Sequence, residues 1–184
     1  TLGNTPANQG LSQYWIDSAA TVDLFNGMAM KSTGGYMITG ESATTVTTIG
    51  VLYGIYYNAA STNKPTWAHW YDATITPANS EDTQAFVNDY PFQKYTIASD
   101  TAVAADVPAA HVKFMETFSV NANTGGSTST GRSSTSLEIG QTHATTHSWR
   151  LLRSAEETEN SDLTAAYCSL EVVSNLSEFV GSGT

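Results

Sequence analysis

The sequence predicts an all-β protein: a sandwich or barrel of short antiparallel strands preceded by an extended N-terminal arm. Three observations carry that expectation. Short runs rich in β-branched and aromatic residues recur along the chain, turn signatures separate them at intervals of about 8–12 residues, and no long segment carries a helical period. The boundaries that follow are an arm over residues 1–32 and a β domain over 33–184.

The arm is read from TLGNTPANQGLSQYW, whose Gly, Pro and Asn spacing suits extended chain. It carries Tyr14, Trp15 and Phe25, large apolar groups in a segment of weak periodicity, placed there either to pack on the parent domain or to dock on a partner. The segment IDSAATVDLF between them fits a short helix or a strand equally well. Gly34-Gly35 signals a turn before Tyr36-Met37-Ile38. Thr44–Asn58 is β-branched and aromatic throughout and reads as one long strand, with Gly50 and Gly54 marking bulges or bends. After the loop AASTNK, Pro65 opens a second strand, TWAHWYDATI, as its hairpin partner. Strands then follow in QAFVND, QKYTIAS, AHVKFMETFSV, SSTSLEIG, HSWRLLR and CSLEVVSN. Alternation places Tyr95 and Ile97 on one face, and Val112 with Phe114 on one face of their own strand. Asp89-Tyr90-Pro91 is a turn signature. TGGSTSTGRSS, residues 124–134, reads as a flexible loop, and EETENSD as an exposed acidic one. Ser161–Cys168 is the one helical candidate, with Ser161 or Asp162 able to cap it.

Composition narrows the function classes. The 184 residues are 40% hydrophobic and 10% aromatic but only 13% charged, so polarity comes from hydroxyls, as in a packed particle and unlike a disordered tail. A chain this long buries a core that needs no staples. Net charge is −10, and seven scattered bases cannot neutralise a run of phosphates, which argues against nucleic-acid and anionic-membrane partners. No stretch reaches the roughly 18 apolar residues of a membrane span. The polar, uncharged N-terminus does not read as a signal peptide. The single cysteine, Cys168, fits a small hydrophobe in a strand and folding in a reducing cytoplasm.

A search for reactive groups yields no catalytic, cofactor-binding or metal-binding set. His143 and His147 have metal-like spacing only on a helix; in a strand they would stand about 13 Å apart. His69 and His111 read as ordinary polar residues. The acids Glu156, Glu157 and Glu159 form a solvated run, not a pair facing across a cleft. Trp67, Trp70 and Tyr71 raise the idea of a sugar platform. In a strand, Trp67 and Tyr71 share one face and Trp70 takes the other, so at least one belongs to the core. Surface Tyr and Trp suit protein contacts, and Tyr90-Pro91-Phe92 offers a second contact point.

From residue 50 to its end the chain resembles a family of tailed-phage structural proteins described as head-decoration (cement) proteins. The carriers are GVLYGIYY, a loop, then KPTWAHWY at 50–71; AFVNDYPFQKY at 85–95; and the ordered series GSTSTGRS, HSWRLL, ENSDL and LEVVSN toward the end. The resemblance implies a non-enzymatic virion protein with no cofactor. It would be made in the host bacterial cytoplasm and bound to the capsid exterior, on the major capsid protein of an HK97-type shell, stabilising the seams between capsomers, often as a homotrimer. Tyr14, Trp15, Phe25, Tyr90 and Phe92 are the candidate capsid contacts. The alternative is a tail or head-fibre module that binds host surface glycans.

Overall fold

In the computed structural model, residues 11–39, 47–121, 125–157 and 160–179 are described. The chain is nearly all β, and among the described residues twelve strands form two six-stranded sheets, each of which closes into a ring. The first half holds β1 (Leu11–Ile16), β2 (Ala29–Thr33), β3 (Tyr36–Thr39), β4 (Gly50–Ala59), β5 (Lys64–Ala68) and β6 (Thr83–Asn88). Backbone pairing runs β2–β3–β1–β6–β4, and β4 returns to β2 through Ala29↔Val51 and Met30↔Gly50. The sheet therefore closes into a five-stranded barrel, whose five ring strands have partners on both sides. One pair in the ring, β1–β3, is parallel; the others are antiparallel. β4 is long enough to pair with β2 at its start and with β5 at its end, so β5 hangs on the barrel as a hairpin.

The closure has a steric condition at Gly50, where β4 squeezes between β2 and the end of β6. A Cβ added there would lie 2.1 Å from the backbone oxygen of Asn88. A register shift between Leu52 and Gly54 adds the bulge that bends β4 around the barrel.

The second half holds β7 (Lys94–Ser99), α1 (Val107–Val112), β8 (Thr117–Phe118), β9 (Val120–Asn121), β10 (Ser136–Leu137), β11 (Trp149–Ser154) and β12 (Ser169–Ser174). The order is β8–β11–β12–β7–β10–β9. Because β8 and β9 are separated by Ser119 alone, residues 117–121 join the two ends of this sheet and close a second ring. Again one pair, β7–β10, is parallel.

Each ring has its own core. Ile16, Met28, Met30, Met37, Leu52, Ile55 and Val87 fill the first. Three of the chain's four methionines lie here, where an unbranched side chain fits a tight, irregular interior. Leu137, Ile139, Trp149, Leu151, Leu170 and Val172 fill the second, joined by Ala29 from the wall of the first barrel. Cys168 is buried there, its backbone N–H donating to Ser99 Oγ at 3.1 Å.

The barrels are joined by the turn at 89–93 and clasped twice more. Loop 125–133 lies along Asn26, whose N–H donates to the Gly131 carbonyl at 2.9 Å and whose carbonyl accepts from Ser133 N–H at 2.8 Å. Residues 176–178 lie along Thr48, and the Glu178 carboxylate accepts from the N–H and hydroxyl of Ser32 at 2.9 and 2.6 Å. Under the first clasp Phe25 stacks on Trp70, ring centroids 5.1 Å apart and planes within 10°. Gly126 sits against Phe25, and a Cβ there would lie 2.3 Å from Cγ.

Several expectations are corrected. From Leu11 on, the N-terminal segment is no arm: β1 is an inner strand of the barrel, paired over its whole length with β6. Residues 1–10 lie outside the described residues. The passage from the first sheet to the second falls at 89–93, and each ring closes on its own core. The loop 124–134, expected to be flexible, is fixed by the Asn26 ladder over the part that is described. AHVKFMETFSV is strand only at its end, in β8 and the start of β9; its beginning is the last turn of α1. Asp106 caps α1 by accepting from Ala109 N–H at 2.8 Å, and Pro108 in the first turn favours helix, so Val112 is exposed while Phe114 packs on the core. Ser161–Cys168 is a series of turns, with Asp162 Oδ1 accepting from the N–H and hydroxyl of Thr164 instead of capping a helix. Residues 17–25 form turns and single bridges, neither helix nor strand.

Gly50→Ala should cost about 3 kcal/mol or more, because the opposing atom is backbone and cannot rotate away. Thermal unfolding should show a Tm lower by at least about 6 °C. Gly140→Ala, where nothing lies within 4 Å of the new Cβ, should stay within about 0.5 kcal/mol of the parent.

Candidate functional site

Strand alternation in a closed barrel leaves each residue two choices, inside or outside. With Ile16 and Leu52 inside, the alternating partners on β1 and β4 face outward. Pairing across the sheet then aligns Tyr36 opposite Trp15, Trp15 opposite Gln84, Gln84 opposite Tyr56 and Tyr56 opposite Trp67. This single outer row crosses β3, β1, β6, β4 and β5, four inter-strand steps of about 4.8 Å or roughly 19 Å in all. Trp15 is 49% and Trp67 43% exposed. At the β5 end the row thickens: Trp67 lies 5.0 Å from Phe86 and 6.1 Å from Tyr53, centroid to centroid, both tilted.

At the β3 end the row lines a groove of ≈ 550 Å³. Trp15, Tyr36 and Tyr56 give it aromatic walls; Asn58, Asp82 and Gln84 give it polar ones. Asp82 is held in place: Oδ1 accepts from Ser18 N–H at 3.0 Å and Oδ2 from the Tyr36 hydroxyl at 3.1 Å. That hydrogen bond, with the Asp82 charge behind it, raises the Tyr36 phenol above its ordinary range. The hairpin turn Gly34-Gly35, with φ of 59° and 91°, closes one end.

A second exposed aromatic feature lies between the barrels. Gln93 N–H donates to the Tyr90 carbonyl at 2.9 Å, closing a turn around Pro91. Tyr90 and Phe92 project from it, 55% and 69% exposed, and pack edge to face at 5.9 Å. Between the barrels there is also a cavity of ≈ 440 Å³, walled by Ala29, Val51, Tyr95, Ile97 and Trp149 among others.

Of the five candidate contacts, Trp15, Tyr90 and Phe92 are available to a partner. Phe25 is not: it is 3% exposed, stacked on Trp70 and covered by Gly126. Tyr14 points inward, packs on the first core and donates its hydroxyl to Asp89 Oδ2 at 2.6 Å. The expected shared face of Trp67 and Tyr71 also fails. β5 ends at Ala68, the alternation resets in the following turn, and Tyr71 is buried while Trp67 faces out. Tyr36, Tyr56 and Gln84 were not among the candidates. Their strand parity is in the sequence, but the register that aligns them is not.

The histidines are tied into the scaffold. His147 is buried with Nδ1 3.0 Å from the Thr117 carbonyl, and His143 Nδ1 lies 3.2 Å from the Thr117 hydroxyl. Among the described residues no group of three or more His, Cys, Asp or Glu is placed to hold a metal ion, and no helix is long and apolar enough to cross a membrane. Comparison with protein-family models, with characterised proteins and with solved structures gave no match.

Two tyrosines link the site region to alkaline stability. Burial, then the Asp89 carboxylate, holds the Tyr14 phenol well above its ordinary range; burial does the same for Tyr95, whose hydroxyl donates to the Asn88 carbonyl at 2.9 Å. Their folded-state pKa values exceed the unfolded value near 10, so the unfolded chain ionises first as pH rises. Stability should be flat from neutral pH to about 9 and fall above about 10. Tyr95→Phe should lower Tm slightly at neutral pH and flatten the alkaline decline, as followed by thermal unfolding at a series of pH values.

Proposed function

We propose that this chain is a non-enzymatic structural protein of a tailed-phage virion, a decoration protein that binds the major capsid protein on the outer surface of the shell. The observation that carries the reading is the Tyr90–Phe92 pair, two large aromatic groups held edge to face on a proline turn at the junction of two closed barrels. Exposed aromatic anchors dominate the energy of protein interfaces, and a turn fixed on both sides by closed rings gives up little entropy when it docks.

Further support comes from where the family-like motifs fall. GVLYGIYY is β4, KPTWA lies in β5, the FVND segment is the end of β6, and DYPF is the exposed turn. Closed rings also suit a protein that must crowd on a surface without pairing edge to edge with its neighbours. An ordinary contact of about 1,600 Å² suffices for a specific complex. Assembly as a trimer would raise occupancy further, because the second and third contacts form at high effective concentration.

The test is co-sedimentation with purified capsids that lack the protein. The parent chain should saturate its sites. Tyr90→Ala combined with Phe92→Ala should weaken binding at least about 30-fold, equivalent to 2 kcal/mol, with Tm unchanged because both side chains are exposed. Undiminished occupancy by the double variant would overturn the reading.

A further inference from the structure

We infer that the groove on the outer face of the first barrel is a binding site for short, uncharged pyranose oligosaccharides, separate from the shell contact at Tyr90 and Phe92.

Three observations converge on that ligand class. The first is the wall. Trp15 and Tyr36 line the groove on adjoining strands, and Tyr56 lines it one strand further on, across β6 and Gln84. Aromatic faces with a wet edge suit ligands that have one apolar and one polar side, and a pyranose ring presents a C–H face and a rim of hydroxyls. Barrel closure keeps these rings on the outside, so they cannot be reassigned to the core.

The second is the polar complement. Each sugar hydroxyl both donates and accepts, and the groove offers both roles. Gln84 and Asn58 carry amides with two donors and an acceptor oxygen. Asp82, already held by Ser18 and Tyr36, is a fixed acceptor that needs no reordering when a ligand arrives. A volume of ≈ 550 Å³ lies in the usual range for small-molecule sites. The aromatic row continues past the groove to Trp67 and Phe86, which provides further stacking positions for a chain longer than one ring.

The third is charge. Glu81 and Asp82 both line the groove, and among the described residues no Lys or Arg does. Sialic and uronic acids, and phosphate-bearing ligands, meet repulsion there with no compensating base. Uncharged sugars meet none.

The experiment is binding of the full chain to a glycan array holding neutral, sialylated and uronate-containing oligosaccharides. Neutral hexopyranose oligosaccharides should be retained, with little change between about 50 and 500 mM salt. Trp15→Ala and Gln84→Ala should each weaken retention at least tenfold, with Tm within a degree or two of the parent. Phe92→Ala should bind glycans as the parent does, whatever its effect on capsid occupancy, so the two readings succeed or fail separately. No retained glycan, retention of acidic glycans alone, or full retention by Trp15→Ala would each overturn the assignment. So would loss of capsid occupancy in Trp15→Ala without any glycan binding, which would make the face a protein contact.

Discussion

The passage of β4 between β2 and β6 at Gly50 is the constraint on which the first barrel depends. A ring of five strands closes only if the chain can slip past the Asn88 carbonyl, and a residue without a side chain meets that condition. Once the ring is closed, strand alternation has no freedom left. A slip of one residue in any pair would expose Ile16, Met30 or Leu52 and force Trp15, Tyr36 or Tyr56 into an interior already filled. The outward aromatic row is thus a consequence of closure. In an open sheet a second layer could cover those residues.

The second ring reaches closure by a different device. Residues 117–121 serve as the partner of β11 on one side and of β10 on the other, with Ser119 as the pivot, and Ser119 also accepts from Glu138 N–H at 3.0 Å. The two rings could swing about the turn at 89–93 were it not for the clasps. Loop 125–133 pairs its backbone with Asn26 and needs so little room that a glycine can rest on the face of Phe25. The tail at 176–178 secures the other side. The turn carrying Tyr90 and Phe92 is therefore fixed at both ends, which is the condition for an aromatic pair to act as an anchor.

Much of this was legible in the sequence where the signal is local. The β class, the hairpin of β4 and β5, the bulge beside Gly54 and the turn at Tyr90-Pro91-Phe92 each follow from a few adjacent residues. What was not legible depends on pairing between distant segments. Trp15 and Phe25 look alike in a stretch of weak periodicity. Only the register of β1 on β6 sends Trp15 outward, and only the Trp70 stack draws Phe25 in. The Gly/Ser loop has the composition of a linker, yet small residues are also what a close backbone approach requires, and composition cannot separate the two. The start of AHVKFMETFSV alternates like a strand, but Asp106 and Pro108, which precede the alternating residues, start a helix.

The register of the first barrel is tested most directly by oxidative footprinting of tryptophan in the free protein, followed residue by residue by mass spectrometry. Trp15 and Trp67 stand on the outer row, whereas Trp149 is 3% exposed inside the second ring. The expected result is rapid modification of Trp15 and Trp67 and slow modification of Trp149. Protection of Trp15 to the level of Trp149, together with oxidation of Phe25, would contradict the closed barrel and the outward face built on it.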